Sequence, residues 1–160
     1  MYSWLLDGDK QYLKELTNKA VQLAHSDISD ADAIRQLGEG WVAEETWAIA
    51  LYCAIRHIDS VEDAIIASVN HDGDSDSTGS VCGNIMGAIY GYEHIKSRNV
   101  FCPEGSELED TLELSEIILA KANDLSTGCI ISKYDSLDTP EERQWYERYC
   151  EMIPSGISQK

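Results

Sequence analysis

The segment that most restricts the fold of this chain is residues 42–57, VAEETWAIALYCAIRH, which is apolar almost all round after Glu45. A helix at a protein surface carries one apolar stripe and one polar face, whereas a helix that is apolar on every side is buried. We therefore expect a central helix here, and that helix requires other elements packed around it.

The remaining sequence predicts those elements as helices joined by short polar loops. Residues 9–25 repeat apolar side chains at the helical period, and Gly38, Ser60 and Pro140 have the positions of helix end and start signals. The helices predicted besides 9–25 and 42–57 are Asp32–Leu37, 61–69, Thr78–His94, Ser106–Leu125 and Pro140–Met152. Strand signals are limited to the short run Gly128–Ser132, so the predicted fold class is all-α.

The composition excludes several classes of protein. The chain has 160 residues, is 43% hydrophobic and carries a net charge of −17. The apolar content excludes a wholly disordered chain, and the acidity argues against nucleic acid or an anionic membrane as the main partner. No apolar run approaches the roughly 18–20 residues of a membrane span, and the first residues do not have the pattern of a signal peptide.

The cysteine pattern indicates a reducing compartment. Five cysteines are scattered along the chain without a C-x-x-C spacing, which fits neither a disulfide framework nor a zinc site. Cys53 and Cys82 lie inside apolar runs and are expected in the core. We expect a cytoplasmic protein.

An acidic loop, Asn70–Ser77, contains the most informative residues. On a helix, Asp74 and Asp76 would point about 200° apart, whereas alternate residues of an extended loop point the same way. The two carboxylates therefore converge if the stretch is non-helical, and with Ser77 and Thr78 they supply the oxygen ligands that Mg²⁺ prefers. The alternative is an acidic turn that caps the next helix. An EF-hand is excluded, because its glycine and glutamate positions hold Ser77 and Gly83.

The loop is followed by glycines at every fourth position, Gly79, Gly83, Gly87 and Gly91. In a helix these residues form one bare stripe, and each glycine costs roughly 1 kcal/mol relative to alanine. We expect a very close helix approach to offset that cost. A membrane Gly-x-x-x-Gly interface does not fit, because the run is too short and too polar.

The run NHDGDSDSTGSVCGNIMGAIYG resembles the C-terminal metal motif of the ADP-ribosylglycohydrolase family, which includes the dinitrogenase reductase-activating glycohydrolase. The runs LGEGWVAEETWAIALYCAIR, LEDTLELSEIILAKANDL and WYERYCEM are also similar to that family. The resemblance implies a multi-helix orthogonal bundle, with residues 1–160 forming one partial domain that corresponds to the C-terminal half of the family's catalytic domain.

The resemblance also implies a reaction and a metal centre. The family hydrolyses the glycosidic bond between ADP-ribose and a protein side chain, or that of a related small ADP-ribosyl compound, at a binuclear Mg²⁺ site that holds the ribose. Asp74, Asp76 and Ser77 match the family's metal ligands, and Thr78 adjoins them as a weaker match. Two metals would orient the ribose hydroxyls and activate water.

Further residues are candidates for ligand contact. Gly38, Gly40 and Trp41 form a turn that allows close backbone approach. The alternative for that turn is a helix stop followed by a core tryptophan. His71 and Gly73 are candidates in the acidic loop, with a plain polar loop as the alternative for His71. Glu44 and Glu45 are interpreted as a first-turn helix pair rather than as catalytic acids.

The family's N-terminal Gly-Asp-Ala-Leu-Gly and Thr-Asp-Asp motifs have no counterpart in this sequence. The one early acidic pair, Asp7 and Asp9, does not match either motif. That N-terminal half supplies the remaining metal ligands and the acidic residue for proton transfer. The catalytic residues are therefore expected outside this chain. Besides a hydrolase, the sequence leaves open a non-catalytic module that holds metal or ADP-ribose, or a half that pairs with a separate N-terminal half.

Overall fold

A computed structural model describes residues 6–98, 102 and 108–151, and within these ranges it contains helices and no strand. The all-α fold class is therefore confirmed. The helices are α1 (Leu6–Ala24), α2 (Asp30–Leu37), α3 (Ala43–Arg56), α4 (Val61–Val69), α5 (Ser75–Tyr90), α6 (Tyr92–Arg98), α7 (Leu108–Thr111), α8 (Ser115–Thr127), α9 (Pro140–Tyr146) and a π-helical turn (Glu147–Glu151).

The chain divides into two compact units, Met1–Phe101 and Cys102–Lys160. In the first unit α3 is the central helix and packs against α1, α4 and α5, so the predicted buried helix is confirmed. Seven of its side chains are buried: Thr46, Ala48, Ile49, Ala50, Tyr52, Cys53 and Ala54. This burial fixes α3 between its neighbours, and it therefore also fixes the loop that precedes the helix.

A polar group at the end of α3 links this helix to α2. The Tyr52 hydroxyl donates a hydrogen bond to Asp30 Oδ1 at 2.6 Å, and His57 Nε2 lies 3.0 Å from Asp30 Oδ2. Burial, followed by the bond to Asp30, raises the pKa of Tyr52. The buried phenol is thus satisfied by the first residue of α2.

Two of the five cysteines lie in this core. Cys53 and Cys82 are fully buried, as predicted, and desolvation raises the pKa of both thiols. All five cysteines fall within the described residues, where they are free thiols.

Helices α4 and α5 approach most closely at one glycine. A Cβ on Gly79 would lie 2.5 Å from Val69 Cγ1, whereas Gly83 and Gly87 leave 3.7 Å and 4.0 Å to their nearest neighbours. The expected close approach therefore holds at Gly79 and relaxes along the stripe. Gly91, with φ +77°, ends α5.

The predicted helix Thr78–His94 differs from the structure at both ends. Asp74 accepts a hydrogen bond from the Ser77 N–H, so α5 begins at Ser75, inside the segment predicted to be a loop. At the other end Gly91 separates α5 from α6, and α6 includes the start of the predicted connector Lys96–Gly105. Of the rest of that connector, Cys102 is the residue that the structure describes.

The second unit contains α7, α8, α9 and the π-helical turn. The predicted helix Ser106–Leu125 is interrupted before Ser115, because Leu114 has φ 58°, and residues 106 and 107 lie outside the described residues. A capping box between Thr139 and Glu142 starts α9 at Pro140, as predicted. The predicted end of that helix, Met152, lies outside the described residues.

Within the described ranges, no helix combines the length and the apolar character that crossing a membrane requires.

Candidate functional site

Two loops of the first unit meet through one backbone hydrogen bond. The loop between α2 and α3 contains Glu39, and the loop between α4 and α5 ends at Asp74, whose N–H donates to the Glu39 carbonyl at 2.8 Å. A Cβ on Gly73 would lie 1.8 Å from that carbonyl oxygen. Gly73 is therefore required where the two loops meet, and its candidate role becomes that of a close-packing residue.

Gly40 packs against the acidic loop from the other chain segment. Its φ is +83°, and a Cβ there would lie 3.0 Å from Thr78 Cγ2 and 3.6 Å from Asp74 Cβ. The Thr46 hydroxyl donates a hydrogen bond to the Gly40 carbonyl at 2.7 Å. The backbone of Gly40 is thus held directly beside Asp74.

Asp74 and Asp76 lie close together although Asp76 is helical. Asp74 is the N-cap of α5 and has non-helical backbone angles, whereas Asp76 lies in the first turn. Contacts of the Asp74 carboxylate with the side chain of Asp76, and then with Ser77, hold the pKa of Asp74 below its ordinary value. Convergence therefore does not require a wholly extended loop, because the N-cap residue stands outside the helix.

An open groove of about 660 Å³ contains most of the predicted metal ligands. Asp74, Asp76 and Ser77 line it together with Gly40 and Trp41. Trp41 is 67% exposed, so the alternative of a core tryptophan is wrong. The remaining lining residues of this acidic groove are Val42, Ala43, Thr46, Trp47, Ser80 and Val81.

Three other candidates line a different groove of about 370 Å³. These are Gly38, His71 and Gly73. Gly38 also ends α2, because its N–H donates to the Ile34 carbonyl, so the helix-stop interpretation of this residue is confirmed. The candidates for ligand contact are therefore divided between two grooves. Both grooves are lined by residues of the α2–α3 loop and of the α4–α5 segment, which the Asp74–Glu39 hydrogen bond joins.

Thr78 is fully buried and hydrogen-bonded inside the protein. Its hydroxyl donates to the Ser68 carbonyl at 2.7 Å and lies 2.9 Å from His71 Nε2. His71 Nδ1 accepts from the Gly73 N–H, which leaves the ring proton on Nε2 to donate to Thr78. Thr78 and His71 thus brace the loop from within, and Thr78 does not line the acidic groove.

Glu45 is the residue whose contribution the sequence analysis missed. It lies in the first turn of α3 with Glu44, as predicted, but its Oε2 also accepts hydrogen bonds from the N–H groups of Glu39 and Gly40, each at 3.1 Å. Spacing alone does not signal this contact, because the contact depends on the positive φ of Gly38.

The donor chemistry of the acidic groove fits part of a Mg²⁺ coordination shell. Two carboxylates and a hydroxyl are hard oxygen ligands, and Mg²⁺ prefers such ligands. Within the described residues, no group of three or more His, Cys, Asp or Glu side chains is arranged to hold a metal ion.

Comparison with known proteins identifies the class. The sequence profile of the ADP-ribosylglycohydrolase family matches residues 1–127, and the chain belongs to that family. Its relatives include the ADP-ribosylhydrolase ARH3 of mouse, which is 27% identical over 117 residues, and those of cattle and human, each 26% identical over the same length.

The matched segment is 67% of this chain but only 32% of each relative, so the chain spans about a third of their length. No solved structure matches it.

Proposed function

We propose that this chain carries part of the catalytic site of a hydrolase that cleaves the glycosidic bond between ADP-ribose and a protein side chain, or that of a related small ADP-ribosyl compound. The observation that carries the proposal is the acidic groove, in which Asp74, Asp76 and Ser77 lie together beside Gly40 and Trp41. Membership of the ADP-ribosylglycohydrolase family supports the reaction class.

In this proposal Asp74, Asp76 and Ser77 would hold Mg²⁺, as one part of a binuclear centre. Bound Mg²⁺ orients hydroxyl oxygens and stabilises developing negative charge. Asp74 is suited to this role because its contacts with Asp76 and Ser77 hold its pKa below the ordinary carboxyl value, which favours the charged form that binds a cation. Asp76 lies in the first turn of α5 beside Asp74.

The surroundings of the acid pair favour a bulky ligand with a planar group. Trp41 exposes most of its ring at the groove, and its indole N–H donates to Glu39 Oε2 at 3.1 Å. Such a ring offers a stacking face for a nucleobase. The exposed Val42 and Trp47 extend the apolar wall.

Release of ADP-ribose from a mono-ADP-ribosylated protein, measured with and without Mg²⁺, tests the proposal. Because the catalytic residues are expected outside this chain, we expect weak release by the chain alone, and that release should require Mg²⁺, be lost in Asp74→Asn and persist in Asp72→Asn. The second variant removes the same charge from the same loop, at an exposed residue that does not line the acidic groove. Release that survives Asp74→Asn would contradict the assignment of the site.

A second candidate function is a half-site that acts only with a separate N-terminal half of the family's domain. The observation that favours it is the acidic groove itself, in which two carboxylates and one hydroxyl are the hard oxygen ligands that these residues offer to a metal. Mg²⁺ binding without ADP-ribose release by the isolated chain would support this candidate over the first. Absence of both would contradict the two candidates together.

The proposal places the protein in the cytoplasm. Five free thiols, two of them buried in the core, are compatible with a reducing compartment. Fractionation of cells that express the chain tests this placement, and recovery from an oxidising compartment with paired cysteines would contradict it.

A further inference from the structure

The carboxylate of Glu45 occupies a position that a neighbouring glycine leaves open. Gly38 has φ +130°, and a Cβ there would lie 2.4 Å from Glu45 Cδ. From this position Glu45 Oε2 accepts hydrogen bonds from two successive backbone N–H groups, those of Glu39 and Gly40. One oxygen therefore fixes the orientation of the whole turn between α2 and α3.

The N–H groups of this turn bind Glu45, and its Glu39 carbonyl binds Asp74. The Glu39 carbonyl accepts the Asp74 N–H at 2.8 Å, and a Cβ on Gly40 would lie 3.6 Å from Asp74 Cβ. The peptide between Glu39 and Gly40 is thus held by Glu45 on its N–H side, and the carbonyl of Glu39 holds Asp74. Displacement of the turn would move the backbone of Asp74 directly.

Glu44 provides an internal comparison. It shares the first turn of α3 with Glu45 and is likewise partly buried, but within the described residues its side chain makes no hydrogen bond or ion pair. The favourable interaction of a first-turn acid with the helix dipole is common to both residues. The contact with the turn belongs to Glu45 alone of the two.

We infer that Glu45 is a positioning residue that orients Asp74 for metal binding through the backbone of Glu39 and Gly40. The metal-binding half of this inference rests on the proposed function, whereas the positioning half does not. Glu45 acts as a hydrogen-bond acceptor, so a side-chain amide oxygen at the same place is able to replace it.

Amide hydrogen exchange followed by NMR tests the positioning directly and without metal. In Glu45→Ala we expect the amides of Glu39 and Gly40 to exchange about tenfold faster, the size expected for losing hydrogen bonds to a charged acceptor. The Asp74 amide should also exchange faster, because the Glu39 carbonyl that accepts its hydrogen bond is no longer held in place. Glu45→Gln should restore slow exchange, and Glu44→Ala should leave it unchanged. The amide of Cys53 in the core reports global unfolding and should keep its rate.

Three results would overturn the inference: an unchanged Asp74 amide in Glu45→Ala, equal acceleration at Cys53, or equal acceleration in Glu44→Ala. Failure of Glu45→Gln to restore protection would contradict the acceptor role and indicate a role for charge. If Glu45→Ala does not fold, Glu45→Asp serves instead, because its carboxylate is one methylene too short to reach both N–H groups while the first-turn charge remains.

Titration of the same variants with MgCl₂ tests the consequence for the metal. We expect Glu45→Ala to weaken Mg²⁺ binding severalfold and Glu45→Gln to keep it near that of the unmodified chain. Equal affinity in all variants, together with accelerated Asp74 exchange, would overturn the link to metal binding. Absence of Mg²⁺ binding in the unmodified chain would contradict the proposed function instead, and the exchange result would still decide the positioning.

Discussion

Thr78 shows how a residue of a functional motif serves the fold. Its buried hydroxyl donates to the Ser68 carbonyl and contacts His71, so it joins the end of α4, the acidic loop and α5. This network lies beneath Asp74, and the Thr78 hydroxyl is also 3.1 Å from the Asp74 carbonyl. We therefore assign Thr78 to the support of the loop and leave it out of the proposed metal ligands.

A matched pair of substitutions at Thr78 tests this assignment. Thr78→Val keeps the shape but removes the hydroxyl, which leaves the Ser68 carbonyl and His71 without their partner. We expect a loss of about 1–3 kcal/mol in the free energy of unfolding, measured with urea. Thr78→Ser keeps the hydroxyl and should lose less. A Thr78→Val protein as stable as the unmodified chain would show that the network does not support the fold.

At the scale of single residues, the sequence predicted the acidic groove in part. Asp74, Asp76 and Ser77, which the family motif groups, lie in one groove with Gly40 and Trp41 of the Gly-Glu-Gly-Trp turn, and their role as ligands stays a prediction. The contact of Glu45 was not predictable from spacing alone. It depends on the positive φ of Gly38, and such a backbone angle becomes visible only when both helices are in place.

Within the glycine stripe, the contact between α4 and α5 is tightest at Gly79. Gly79→Ala would place a Cβ 2.5 Å from Val69 Cγ1, whereas the nearest atom to a Cβ on Gly87 is 4.0 Å away. Replacing glycine by alanine should improve the helix propensity of α5 equally at positions 79 and 87. Only at position 79 does the added methyl group meet a neighbouring side chain too closely.

We expect opposite signs from the two substitutions. Gly79→Ala should destabilise the protein by about 1–3 kcal/mol, because Val69 or its helix must shift to admit the new methyl group. Gly87→Ala should stabilise it by up to about 1 kcal/mol, the difference in helix propensity. Urea unfolding of both variants and of Gly79→Ala with Val69→Ala checks this. Stabilisation by Gly79→Ala alone would contradict the close approach, and so would a failure of Val69→Ala to restore stability.

At the scale of elements, burial was more predictable than helix ends. The all-round apolar character of residues 42–57 identified α3 as the central helix, because burial is a sum over many side chains. The starts and ends of α5 and α8 depended on single residues: Asp74 as a cap, Gly91 as a stop and Leu114 with φ 58°. Such local angles compete with the periodic pattern and are not contained in it.

The charge of the whole molecule has a consequence for stability. With 29 acidic and 12 basic residues the net charge is −17, and like charges repel more strongly in the compact state than in the unfolded chain. Salt screens this repulsion. We expect the urea midpoint to rise when NaCl is increased from low to physiological concentration, and KCl to act equally. A falling midpoint would show that specific ion pairs outweigh the repulsion.

The division of the molecule into residues 1–101 and 102–160 places the acidic groove wholly within the first unit. The family match ends at residue 127 and so includes part of the second. The prediction of one partial domain over residues 1–160 stays a prediction. A test of the metal site therefore uses the full chain.

The most direct test of the account is Mg²⁺ titration of the full chain at constant ionic strength, followed through the NMR shifts of the amides from Gly73 to Thr78. Asp74→Asn is the decisive variant, because asparagine keeps the helix cap and removes the charge. Asp72→Asn is its control. We predict saturable shifts at millimolar Mg²⁺ that Asp74→Asn abolishes and Asp72→Asn retains. Absence of saturable shifts, or an equal loss in both variants, would contradict the assignment of the acidic groove as a metal site.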